Sequence, residues 1–167
     1  MNRRNLSAII KIPKILREKL NNKRVVSIYK NFEKSLDVKK NFIVAVSGGP
    51  DSMALAFLAK IYSIKKNINS KFFIIDHKLR PESTQEANIV KQVLKKKLIN
   101  SEILSWKGRN PSKNIQSLAR KKRYELLFAK SDKLKIDDIL LGHHQDDLYE
   151  NFFIRILRGS GLKGLIS

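Results

Sequence analysis

The chain has 167 residues, 42% hydrophobic and 30% charged, which suits one soluble globular domain with tails and excludes both a disordered chain and two full-sized domains. A formal net charge of +20, from 35 basic and 15 acidic residues, predicts attraction to polyanions such as nucleic acid, although a composition rich in Lys, Ile and Asn is also what an AT-rich coding sequence yields with no binding role. The absence of cysteine excludes disulfides, thiolate metal sites and cysteine-borne sulfur transfer in this chain.

Taken in order, residues 1–24 read as a basic N-terminal extension, carrying Arg3, Arg4, Lys11, Lys14, Arg17, Lys19, Lys23 and Arg24. Its Ala8-Ile9-Ile10 run is too short for a signal-peptide core, and no apolar run reaches the roughly 20 residues a membrane helix needs. The chain is expected to be cytoplasmic with no membrane partner. The apolar Ile10, Ile12, Ile15 and Leu16 fit either one short surface helix or a disordered arm. From Val25 to Leu36, Val26, Ile28, Tyr29, Phe32 and Leu36 recur at helical spacing and predict a first packed helix. Residues 25–167 are expected to form the domain proper.

From Asn41 onward, short apolar runs alternate with longer helical ones, the pattern of βαβ units. Strands are predicted at Phe42–Val46, Phe72–Ile75, Glu102–Trp106 and Ile139–Gly142. Helices are predicted after the first strand, from Ser83 to about Lys97, from Asn114 to about Lys130, and from Leu148 to Leu157 with Gly159 as terminator. Ser83-Thr84-Gln85-Glu86 has the form of a capping box. The fold class is therefore α/β, an open parallel sheet with helices on both faces. Right-handed crossovers would bring the strings Ser47–Ser52, Asp76–Glu82, Lys107–Asn114 and His143–Asp147 to one sheet edge, where open α/β sheets bind ligands.

The string Ser47-Gly48-Gly49-Pro50-Asp51-Ser52 is a strand-to-helix turn of small residues. Glycine allows close approach to backbone, the helix N-terminus offers N–H donors, and Ser47 and Ser52 are expected to add hydroxyl donors, so the turn suits an anion. A plain βα turn capped by Asp51 or Ser52 is the alternative. The turn fits neither the lysine-bearing P-loop nor the dinucleotide fingerprint.

As a whole string it resembles the SGGxDS pyrophosphate loop of the N-type ATP pyrophosphatases, which cleave ATP between its α and β phosphates. Four further strings follow in order: Asp76-His77-Lys78-Leu79-Arg80-Pro81-Glu82-Ser83, Ala119-Arg120-Lys121-Lys122-Arg123-Tyr124, His143-His144-Gln145-Asp146-Asp147 with Glu150, and Leu157-Arg158-Gly159-Ser160-Gly161-Leu162. Together they resemble the N-terminal catalytic domain of the tRNA(Ile)-lysidine synthetases, over about residues 42–166. The resemblance implies a Rossmann-like fold of the adenine nucleotide alpha hydrolase type. It implies a ligase that uses ATP to adenylate the C2 oxygen of the wobble cytidine of tRNA(Ile) with a CAU anticodon, after which free L-lysine displaces AMP.

Under that resemblance the ATP-binding residues are Ser47, Gly48, Gly49, Pro50, Asp51, Ser52 and His143, with Asp51 also placing Mg²⁺. Arg120 and Arg123, three apart and so on one helical face, would steady charge on the α-phosphate; a merely solvated basic stretch is the alternative. Asp147 and Glu150 would receive the cationic groups of lysine, against a role as simple complements of the helix dipole. His143 and His144 do not suggest a metal pair, because adjacent side chains diverge on regular backbone. Trp106 is expected in the core or the pocket wall.

Two departures stand out. Glu150 is followed by Asn151 where the family string often has Thr, and the chain stops at Ser167, so a truncated domain lacking a fifth strand is expected. The rivals are another tRNA-modifying pyrophosphatase of this fold, such as a thiolase or an amidating synthetase, and a noncatalytic basic RNA-binding fragment.

Overall fold

The structure is a computed structural model and describes residues 12–106, 108 and 115–142. Its elements in chain order are α1 (Lys14–Arg17), a 3₁₀ turn (Glu18–Asn21), α2 (Lys23–Ser35), β1 (Phe42–Val46), α3 (Pro50–Lys66), β2 (Ser70–Asp76), α4 (Ser83–Lys96), β3 (Ser101–Ser105), α5 (Ile115–Leu134) and β4 (Asp138–Leu141). The four strands form one parallel sheet in the order β3-β2-β1-β4.

The β1 sequence explains its central place. All five of its residues are buried, and an unbroken apolar strand is what a sheet covered on both faces requires. Phe42, Val44 and Val46 pack with Ala56, Ala59, Ile61 and Tyr62 of α3 and with Ala87 and Leu94 of α4. Ile43 and Ala45 pack on the other side with Leu127, Leu134 and Ile136. The chain steps outward from β1 to β2 to β3 over one face, then returns past β1 to β4 by way of α5. A right-handed crossover in the reverse direction must use the opposite face, which is where Leu127 lies.

The helix ends follow local chemistry. Asn22 caps α2, its side chain accepting from Arg24 N at 2.9 Å, and Asn67 ends α3 in the left-handed conformation at φ 57°, a role open to Asn because its short amide tolerates positive φ. The expected capping box at the start of α4 does not form. Glu82 is the N-cap and makes no side-chain cap hydrogen bond; the hydroxyls of Ser83 and Thr84 turn to a tertiary partner instead.

The basic extension differs from a free arm or surface helix over its described part. Ile12 and Leu16 are 4% and 0% exposed and belong to the α3 side of the core. The lysines and arginines around them are the outward positions of a packed segment, and they masked its apolar side. Tyr62 of α3 then secures the approach to β1, donating its hydroxyl to Val38 O at 2.8 Å.

Candidate active site

Strand order reverses between β1 and β4, since β1 leads outward to β2 while β4 arrives from β3. Such a switch point opens a crevice at the carboxyl ends of the two strands. Ala45 of β1 is in register with Leu141 of β4, so Ser47 and Gly142 lie at that mouth. A cleft of about 1020 Å³ opens there, lined among others by Ser47, Gly49, Asp51, Ser52, His77, Arg80, Arg120, Arg123 and Gly142. That is at the upper end of the roughly 300–1,000 Å³ typical of ligand sites.

The loop from Ser47 to Ser52 is held by an internal brace. Ser52 is 3% exposed, and its Oγ accepts from Ser47 N and Gly48 N, both at 3.2 Å, and from Ser47 Oγ at 3.1 Å. The single Ser52 hydroxyl proton goes to Gly49 O at 2.9 Å. Ser52 thus shapes the loop from within, in place of the outward donor expected from sequence. Gly48 turns the chain at φ 93°, where a side chain would be strained. Gly49 caps α3, Pro50 occupies its first turn, and Asp51 follows there. Proline fits that position because its missing N–H has no intrahelical partner in any case, and the N-terminus of α3 presents positive charge to the cleft.

Gly142, another cleft residue, sits directly against this loop. A Cβ at that position would lie 2.8 Å from Ser52 Cα and 2.9 Å from Ser52 N. Only glycine lets the end of β4 rest directly on the first turn of α3.

Basic side chains also line the cleft. Arg123 is half-buried and Arg120 exposed, and both line the cleft together with His77 and Arg80. Burial lowers the Arg123 pKa, Tyr124 raises it and neighbouring Arg120 lowers it, for a net depression. The guanidinium stays charged at any ordinary pH, and no ion pair to it occurs among the described residues. The Arg120 guanidinium lies 5.7 Å from the centre of the Tyr124 ring, within cation–π range.

At the end of β2, Asp76 is 1% exposed. Its carboxylate accepts from Thr84 Oγ1 at 2.7 Å, Ser83 Oγ at 2.8 Å and Lys78 N at 3.0 Å. Burial alone would raise its pKa, but the hydrogen bonds from Thr84, Ser83 and Lys78 prevail and hold it below the ordinary carboxylate value. His77, beside it, has its pKa lowered by burial and then by Arg123, against an upward pull from Asp76. Its imidazole is therefore neutral at pH 7.

The structure brings Ser47, Gly49, Asp51 and Ser52 to one cleft with His77 and Arg80 of the Asp76–Glu82 string, as the strand-end reasoning anticipated, and Arg120 and Arg123, singled out by spacing and resemblance, line it too; Gly48 and Pro50 are in the same loop. His143, Asp147 and Glu150 lie outside the described residues, as do the predicted helix Leu148–Leu157 and the string around Arg158. His77 and Arg80 are cleft residues to which the sequence reading assigned no role; their position directly after β2 was the available signal. Among the described residues no group of three or more His, Cys, Asp or Glu side chains could hold a metal ion, and no helix is long and apolar enough to cross a membrane.

A doubly wound parallel sheet with a glycine-bearing loop at its switch point defines a nucleotide-binding α/β domain. The PP-loop domain family matches residues 18–167, and the chain belongs to that family. It is 44% identical over 124 residues to the tRNA(Ile)-lysidine synthase of Orientia tsutsugamushi, covering 74% of this chain and 28% of that protein. With the tRNA(Ile)-lysidine synthase of Rickettsia typhi it shares 38% identity over 149 residues, or 84% of this chain and 34% of the relative. The chain thus spans about a third or less of the length of these relatives. Among solved structures, the U34-tRNA thiolase NcsA of Methanococcus maripaludis with its 4Fe–4S cluster superposes with a TM-score of 0.67 at 22% identity, over 85% of this chain and 53% of that one. That likeness supports the fold.

Proposed function

We propose that this chain is the N-terminal catalytic part of a tRNA(Ile)-lysidine synthetase, a carbon–nitrogen ligase. The observation that carries the reading is the cleft itself, lined by residues of the Ser47–Ser52 loop and by Arg120 and Arg123, in a chain similar to several proteins of that name. Residues 25–167 would be the catalytic domain.

In this reading ATP lies across the switch point. The β and γ phosphates sit at the Ser47–Gly49 turn and the α3 N-terminus, with Ser52 holding the loop in shape beneath them. Arg120 and Arg123 face the α-phosphate, where charge builds as the wobble cytidine C2 oxygen attacks. Guanidinium groups beside the α-phosphate would stabilise such charge. Attack forms an oxygen–phosphorus bond, breaks the α–β anhydride and releases pyrophosphate. A pyrimidine carbonyl oxygen leaves poorly, but once adenylated it departs as AMP when the lysine amine adds at C2. The lysine-binding roles fall to Asp147 and Glu150, and His143 would line the nucleotide pocket.

Mg²⁺ suits this donor set, because it takes few protein oxygens and completes its shell with phosphates and water; Asp51 would hold it, and the ion would neutralise phosphate charge. The wobble position of tRNA(Ile) with a CAU anticodon, free L-lysine and a cytoplasmic location belong to the same proposal.

The test is incorporation of labelled lysine into tRNA(Ile) bearing a CAU anticodon, by the full-length gene product with ATP. Incorporation that requires ATP and fails with a tRNA bearing another anticodon is expected. ATP-dependent modification of another tRNA without lysine would support a different tRNA-modifying pyrophosphatase instead.

A further inference from the structure

We propose that Phe128 is a stacking platform for an unpaired base of the RNA whose reacting nucleotide enters the cleft. The inference rests on the tRNA substrate proposed above and gives it a second contact, outside the cleft. Phe128 is 55% exposed, whereas its neighbour Leu127 is 0% exposed and belongs to the core. The ring does not stand alone. Its centre lies 5.9 Å from that of Tyr124 with the planes 27° apart, a stacked pair, and the Arg120 guanidinium lies 5.7 Å from the centre of the Tyr124 ring. Arg120, Tyr124 and Phe128 thus form a row at four-residue spacing along α5, about 12 Å long. The row begins at the cleft, which Arg120 lines, and ends on an exposed aromatic ring. Tyr124 also restricts that ring, so less side-chain freedom is lost when a base settles on it.

The charge around the row selects the partner. Along α5, Arg120, Lys121, Lys122, Arg123, Lys130 and Lys133 stand against Glu125 and Asp132. Lys122 is paired with Glu125 at 2.5 Å and Lys130 with Glu102 at 2.7 Å, while Arg120, Lys121, Arg123 and Lys133 have no ion pair among the described residues. An apolar ring set among uncompensated cations suits a polyanion that also carries flat faces. A nucleic acid strand is such a partner, with phosphates meeting the cations and a base covering the ring. The base must be unpaired, because bases within a duplex are already stacked on their neighbours. A stacked strand advances about 3.4 Å per nucleotide, so the row spans roughly three or four nucleotides, and both contacts fit one single-stranded segment.

The test is fluorescence anisotropy of a labelled oligouridylate, and of the same strand paired with oligoadenylate, on this chain; the full-length gene product is then tested with tRNA(Ile). The native chain is expected to bind the single strand more tightly than the duplex. Phe128→Ala should weaken single-strand binding about tenfold, a loss within the range for one stacked base, and leave duplex binding and ATP binding unchanged. Phe128→Tyr should keep the native affinity, and Phe128→Leu, apolar but without a flat face, should not. The salt dependence should be the same in the native chain and Phe128→Ala, because no phosphate contact is lost. Single-strand affinity unchanged in Phe128→Ala, or retained in Phe128→Leu, would overturn the platform. Equal native affinities for strand and duplex would overturn it too, leaving charge alone. In the full-length product, a lowered melting temperature with native tRNA(Ile) affinity in Phe128→Ala would assign the ring to intramolecular packing instead. All of these are binding measurements, so a failed platform leaves the proposed reaction intact. A full-length product that binds tRNA(Ile) through Phe128 but incorporates no lysine would remove the reaction and leave the platform standing.

Discussion

Two strand-to-helix connections leave adjacent parallel strands at the same sheet edge, and they are braced by opposite chemistry. After β1, the Ser47–Ser52 loop closes on a neutral hydroxyl, with Ser52 Oγ gathering Ser47 N, Gly48 N and Ser47 Oγ. After β2, the turn closes on a buried carboxylate, with Asp76 gathering Lys78 N, Ser83 Oγ and Thr84 Oγ1. Each brace receives three donors, but only one carries charge. A carboxylate beneath the first loop would repel the polyphosphate that the α3 N-terminus attracts. The second turn borders a cleft that Arg80, Arg120 and Arg123 also line, and a buried negative charge is compatible with a site of that charge. The neutral brace suits a loop that receives phosphate directly, and the charged one suits a turn with cationic side chains along the same cleft.

The largest expected effect falls on the first loop. Asp51→Ala should reduce pyrophosphate release by about 10²-fold or more, in the range seen when one electrostatic stabiliser of a transition state is removed. Affinity for tRNA, measured by filter binding, should remain near native. If pyrophosphate release survives in that variant, the loop is not the phosphate end of the site. Gly142→Val comes next, since its side chain would meet Ser52 backbone at under 3 Å. Overpacking of this kind destabilises by about 1–3 kcal/mol, and the loss of ATP binding should exceed the loss of thermal stability.

Ser52→Ala sharpens the comparison directly. It removes the neutral brace, leaves two backbone N–H groups without their acceptor and should destabilise by about 1–2 kcal/mol. Ser52→Asp, read beside it, should bind ATP worse than Ser52→Ala, as repulsion by a charged brace requires; equal affinities would break the argument.

The second turn should show itself in acid. The folded Asp76 pKa lies below its ordinary value, so its stabilisation is fully present above the unfolded value of about 3.9 and is lost as pH falls through the folded value. Unfolding followed by circular dichroism should show native stability declining below about pH 4, with a shallower decline in Asp76→Asn. Identical slopes would mean that the brace contributes nothing through its charge. The smallest effect is expected from Glu86→Gln. Its ion pair with Arg80 is largely exposed, and such pairs contribute from nothing to about 1 kcal/mol.

Much of the fold was legible because the sheet is buried on both faces. Phe42–Val46 is an unbroken apolar run, and its predicted bounds coincide with β1. The other strands begin or end within two residues of their predicted limits, where side chains become half-exposed and the apolar signal fades. The packing of Ile12 and Leu16 was hidden by the basic residues between and around them. Ser83 and Thr84 carried a local capping signal that a tertiary acceptor seven and eight residues away outcompeted, since short hydroxyl side chains serve either partner equally well.

At the site, the loop and the Arg120–Arg123 pair could be read from spacing and from likeness to a known string. The inward turn of the Ser52 hydroxyl could not, because the string specifies composition and leaves hydroxyl direction to the fold. Gly142 was read only as a strand end. Its need for a missing side chain arises from contact with a residue 90 positions earlier, which no local pattern encodes.

The central claim is that the Ser47–Ser52 loop holds the terminal phosphates, so that ATP is cut between α and β. The most direct measurement follows ATP labelled at the γ-phosphate through turnover with tRNA(Ile) and the full-length gene product. The account predicts that all released label is pyrophosphate, matched one to one by AMP formation; label released as free orthophosphate with ADP as co-product would contradict it.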